Sequence, residues 1–140
     1  MTARALDVAQ HEAAHVVVGV SLGLILSRAT ALPKSGDYQG CTWFESQYNR
    51  RSAFATMFAA GIAWDSALGL HPRWSSWDRK HVRDHCASRH DVYTHIRAAG
   101  ALLTQLSAPH ALVTRALLER DVTGADIARL ARGGRIDDDA

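Results

Sequence analysis

The hexapeptide QHEAAH, residues 10–15, narrows what this chain of 140 residues can become more than any other stretch. It lies in an alanine-rich run from residue 3 to about 24 that contains no proline. Leu6, Ala9, Ala13, Val17 and Val20 or Ser21 recur there at helical spacing. Residues four apart on a helix occupy one face, a turn from each other. His11 and His15 can therefore aim both rings at one point, with Glu12 beside them.

Two neutral imidazoles leave a zinc ion its positive charge and an open position, and zinc brings the pKa of a water there down to about 7. A neighbouring carboxylate can take the proton and later hand it to a leaving amine. This is the HExxH spacing of zinc peptidases. With eight histidines and three glutamates in the chain, chance alone would produce it about 0.01 times. A solvated helix face is the other reading. It fits poorly, because Ala13, Ala14, Val16, Val17 and Val18 surround the motif, and polar groups buried among such neighbours are costly without partners. One zinc ion held by His11 and His15, with Glu12 as general base, is the expectation.

The rest of the chain reads as mainly α, with a small β-hairpin or sheet near residues 28–46. Pro33, Gly36 and Gly40 interrupt helix, and "ATAL" and "GCTWFE" on either side favour strands. Helices are predicted over residues 51–69, from about 77 to 87, over 91–106 and over 109–120, the last two divided by "SAP". "GLHPRWSS" reads as a loop. "TGADIARLARGG" reads as a short closing helix, with Thr123 as its cap and Asp126 three residues on. Residues 1–132 form a single domain in this reading, and residues 133–140 an acidic tail.

Composition removes several alternatives. A net charge of +2 with scattered basic residues gives no case for nucleic acid. The longest apolar run, Val16 to Leu26, is too short for a bilayer span and lacks the marks of a secretory signal. No membrane partner is expected, and a cytoplasmic protein is the default. Cys41 and Cys86 stand far apart, which indicates neither a zinc knuckle nor a disulfide framework.

The segments around the motif resemble the FtsH-type zinc peptidase domain. "AQHEAAHVVVGVSLG" is similar to that family's zinc helix, with its pattern close to HEAGHAVVG, and "LPKSGDYQGCTWFE" to its strand segment. "FATMFAAGIAWDSALG" resembles its "LLGGRAAEELxFG" helix. "WSSWDRKHVRDHCA" falls where the family has "GASNDIxxAxxLA", and "LVTRALLERDVTGADIARL" resembles its closing segment. The likeness runs in order over about residues 7 to 130. It implies a multi-helix, zincin-like peptidase fold, with Asp78 as third zinc ligand after His11 and His15. Asp65 is the alternative, as ligand or as a carboxylate orienting a ligand histidine. Ala14, Ile62 and Trp77 stand where the family has glycine, arginine and asparagine. No GxxxxGK[ST] loop occurs. The resemblance therefore implies a peptidase domain without the ATPase module, ATP-independent in itself. Its substrate would be peptide or unfolded protein, with a homo-oligomer or a partner protein as its company.

Three other features bear on the site. His81 and His85 lie four apart, and His81 is a further candidate for the third ligand. The run "DRKHVRDHCASRHD" has the mixed charge of a solvated helix, however. Asp78 itself has an ordinary alternative, as cap of the helix that follows it. The segment Gly40, Cys41, Thr42, Trp43 and Phe44 is the candidate substrate strand, since zinc peptidases hold peptide by adding it to a sheet edge. Ordinary hairpin packing competes with that role. The competing function is a non-catalytic, metal-containing binding or regulatory module. An intact Glu12 weighs against it, because a purely structural site needs no base.

Overall fold

The computed structural model describes residues 3–31, 40–68 and 76–131. Six helices and three short strands follow in the order α1 (Ala3–Ser21), β1 (Leu26–Thr30), β2 (Cys41–Phe44), α2 (Arg51–Ala67), α3 (Ser76–Asp84), α4 (Arg89–Gln105), α5 (Ser107–Leu117), β3 (Val122–Thr123) and α6 (Gly124–Ala131). The described chain is thus mainly helical with one small antiparallel sheet. No helix among the described residues is long and apolar enough to cross a membrane.

α1 is the axis of the fold. It packs against α2, α4, α5 and both β1 and β2. Every residue from His11 to Gly19 is buried. The sequence suggests an amphipathic helix with one apolar face. The middle of α1 is instead enclosed on all sides, as a helix apolar all round must be. Val8, Val16 and Val18 are each at most 2% exposed, and each fully buried valine contributes roughly 1.5–3 kcal/mol. The polar side chains of the motif are thereby carried into the interior on a helix packed from all sides.

The sheet order is β2-β1-β3, with both pairings antiparallel. The hairpin β1–β2 lies within the predicted region, although β1 starts at Leu26, and its register shifts between Leu26 and Arg28. β3 is not foreseen by the sequence. A two-residue strand carries no periodicity, and its strand pairing depends on Ala29 and Arg28 lying alongside Val122 and Thr123. α1 ends at Ser21 rather than about residue 24, and the Arg50 guanidinium donates to the Leu22 carbonyl just beyond it. "SAP" does not divide two helices. The break between the two helices falls at Leu106 instead, α5 beginning at Ser107, and Pro109 sits in the first turn, where a missing N–H costs nothing. The proline turn before Gly40, all but the last residue of the loop at 69–76 and the acidic tail at 133–140 lie outside the described residues.

The closing helix is capped as its sequence suggests. The Thr123 amide donates to Asp126 Oδ2 at 2.8 Å, and the Asp126 amide donates to Thr123 Oγ1 at 3.3 Å. This is a reciprocal capping box. Arg120 and Arg129 add ion pairs at 3.1 and 2.8 Å. Burial alone would raise the Asp126 pKa, but these donors win and hold it below the usual carboxylate value. A depressed folded pKa means the stabilisation is present above the unfolded pKa and lost as pH falls through the folded one. Asp126→Ala is therefore expected to cost about 1–2 kcal/mol at neutral pH. In urea unfolding, its gap to wild type should narrow below about pH 4.

Candidate metal centre

α1 supplies His11, Glu12 and His15, all buried. Each offers one ligand atom, and those atoms lie within 4.8 Å of one another. Among the described residues this is the group that brings three such donors together, and it can hold a metal ion. Asp78, in the first turn of α3, points its carboxylate into the same place. Its Oδ2 is 2.8 Å from His11 Nε2 and 3.1 Å from His15 Nε2, and the two Nε2 atoms are 3.2 Å apart. Donors of a tetrahedral zinc site at ~2.0–2.1 Å from the ion stand roughly 3.3 Å from each other. The three atoms form a triangle of nearly that size.

The outer ring nitrogens show which way the rings are wired. His15 Nδ1 lies 2.8 Å from the backbone carbonyl of Met57 in α2. A carbonyl only accepts, so Nδ1 carries the proton and Nε2 of the neutral ring presents a lone pair. His11 Nδ1 donates to Asp65 Oδ2, also on α2, at 2.9 Å. With both rings neutral, two lone pairs and a carboxylate oxygen would face one another in a buried space, an arrangement that repels itself unless a proton or a metal cation sits among them. Carboxylate and carbonyl partners behind metal-binding imidazoles fix ring orientation in just this manner.

The titration behaviour follows from the same crowding. Burial works against charge on His11, yet the hydrogen bonds to Asp65 and Asp78 overcome it and lift its pKa to about 10. His15 is also raised against the effect of burial, chiefly by Asp78. Asp78 is held well below the carboxylate range by the two histidines, although burial opposes this. Glu12 moves the other way, pushed up by burial. The centre attracts positive charge, and in the metal-free chain a proton answers that attraction.

A gap in α2 accommodates the rings. A Cβ built on Gly61 would lie 2.8 Å from His15 Nε2 and closer still to the ring of His11. The rings cannot retreat, because Asp65 and Met57 hold their far sides. Glycine in mid-helix costs about 1 kcal/mol relative to alanine, so its presence here asks for a reason, and the rings provide it. Gly61→Ala is expected to lose about 1–3 kcal/mol of stability, because the added methyl overlaps rings that are held in place, and divalent-cation affinity falls at least ~10-fold. Thermal unfolding and calorimetric metal titration of the same variant check both halves.

Glu12 borders the sheet. Thr42 Oγ1 on β2 donates to Glu12 Oε2, and a Cβ on Gly40 would strike the Glu12 side chain and the Thr30 carbonyl. β2 is an edge strand in the sheet order. Trp43 and Phe44 point to opposite faces. Phe44 packs on the core, whereas Trp43 is 42% exposed beneath the Arg28 guanidinium. Cys41 is exposed, and its thiol pKa is raised by partial burial and by Glu12.

The structure therefore brings His11, Glu12, His15, Asp78, Asp65 and Thr42 together. Asp65 is bonded to the outer nitrogen of His11. Asp78 is directed at the centre instead of serving merely as a helix cap. His81 stacks on Phe58 with ring centroids 4.6 Å apart, and His85 Nδ1 donates to the His81 carbonyl at 2.7 Å. Three contributors escape the sequence reading: Gly61, the Met57 carbonyl and the Thr42 contact to Glu12. Gly61 alone leaves a signal, as an isolated glycine inside a helical run. Comparison with protein-family models and with curated proteins finds no match to this chain.

Proposed function

We propose that this chain is a zinc metallopeptidase with a zincin-like fold of the FtsH peptidase type, hydrolysing peptide bonds in unfolded or loosely structured polypeptide. The observation that carries the proposal is the convergence of His11 Nε2, His15 Nε2 and Asp78 Oδ2 beside the buried carboxylate of Glu12. Two imidazoles and one carboxylate oxygen suit a single zinc ion with an open position, the pattern of a catalytic rather than a closed structural site. A zinc ion bound there supplies a Lewis acid and acidifies a coordinated water.

The remaining work falls to the chain. His11 and His15 are oriented from behind by Asp65 and the Met57 carbonyl. Glu12, positioned by Thr42, receives the proton of the attacking water and delivers it to the departing nitrogen. β2 offers its outer edge to an extended peptide, and Thr42 ties that edge to Glu12. Gly40 keeps the approach to Glu12 free of a side chain.

Cleavage of casein or a peptide library by the zinc-loaded protein tests this reading. Cleavage should stop on addition of a chelator and return with zinc. Undiminished cleavage after complete removal of metal would refute it.

A further inference from the structure

A cavity of about 350 Å³ opens between α1, α2 and α5. None of the metal-centre residues lines it. Its walls are largely apolar, with Leu6 from α1, the Trp64 ring from α2 and Leu118 just past α5. Into this surface α5 brings four polar side chains, Ser107, His110, Thr114 and Arg115; the Thr114 hydroxyl is taken up by the His110 carbonyl.

His110 is only 4% exposed. Its Nε2 is 2.9 Å from the backbone carbonyl of Gln10, which can only accept, so the proton resides on Nε2 and Nδ1 carries a lone pair. Burial lowers the His110 pKa and keeps the ring neutral at pH 7. The ring is clamped by Trp64, centroid to centroid 4.0 Å. The Nε2 bond is its one hydrogen bond among the described residues, so Nδ1 is an acceptor that no described protein donor occupies. Arg115, five residues on, has no hydrogen-bond or ion-pair partner among the described residues. Both residues line the same cavity, His110 against the Trp64 ring and Arg115 further along α5.

We infer that this cavity binds the C-terminal residue of a peptide, with the carboxylate on Arg115, the last backbone N–H on His110 Nδ1, and an apolar side chain against Leu6, Trp64 and Leu118. Guanidinium and carboxylate are complementary in charge and geometry. At about 350 Å³ the cavity lies at the small end of ligand-sized pockets. An acylated amino acid shares this chemistry, so the two sources need separate arms.

The test is calorimetric titration of the zinc-loaded protein with N-acetyl-leucine, with a pentapeptide ending in leucine, and with the C-terminal amide of each. 4-Methylpentanoate, which lacks the N–H, is the fifth probe. The expected result is binding of both acids, the peptide the tighter, with amidation weakening each about 10-fold. 4-Methylpentanoate should bind several-fold more weakly than acetyl-leucine. Arg115→Gln, an exposed substitution, should erase the preference for acid over amide. Equal affinity of acids and amides, or no saturation of either acid by ~10 mM, would overturn the inference. A preference for acids that survives Arg115→Gln would do so too, by placing the carboxylate at the metal centre. Binding of acetyl-leucine without the peptide would overturn the assignment to a chain terminus.

Discussion

Glu12→Gln is expected to retain its zinc and lose about 10³-fold in peptide hydrolysis, the usual contribution of a general base. The substitution is nearly isosteric, and the amide oxygen can still accept the Thr42 hydroxyl that now bonds Oε2. The rings of His11 and His15 keep their own partners, Asp65 and the Met57 carbonyl. What disappears is the capacity to take a proton. Steady-state cleavage of a fluorogenic peptide, beside elemental analysis of the same preparation, separates the two properties. Full activity in the zinc-loaded Glu12→Gln variant would remove Glu12 from the mechanism.

The second large effect concerns Asp78. If its Oδ2 completes the triangle with the two Nε2 atoms, Asp78→Ala should weaken zinc by more than ~100-fold, beyond what loss of a merely supporting group costs. Asp65→Asn, which disturbs the outer nitrogen of His11, should weaken it about 10- to 100-fold. The order of the two effects is the prediction. Competition titration against a zinc-sensitive chelating dye measures both. If the Asp65 variant lost more zinc than the Asp78 variant, the third ligand would belong to Asp65.

What can be read from the sequence is mostly local. His11, Glu12 and His15 are joined by one helical repeat, so their meeting follows from α1 alone. The capping pair Thr123 and Asp126 is likewise three residues apart, and it forms as expected. The choice between Asp65 and Asp78 is of another kind. Both are acidic residues on other helices, 54 and 67 positions from His11. Only the packing of α2 and α3 against α1 shows that one meets Nδ1 and the other Nε2. The Met57 carbonyl is invisible in principle, since every residue has one. Gly61 is visible as an oddity, but the rings that explain it lie on another helix. β3 is two residues long and exists because β1 passes beside it.

The extent of burial is also underread. The apolar spacing in α1 suggests one face toward a core, yet nothing from His11 to Gly19 reaches solvent appreciably. That difference strengthens the case for a cation. Buried imidazoles and carboxylates need partners far more than those at a rim.

The most direct measurement is the number of zinc ions bound per chain, by calorimetry at neutral pH, in wild type and in His15→Ala. One ion per wild-type chain and none in the variant is the predicted result. No zinc in the wild type, or equal zinc in both, would contradict a centre built on α1.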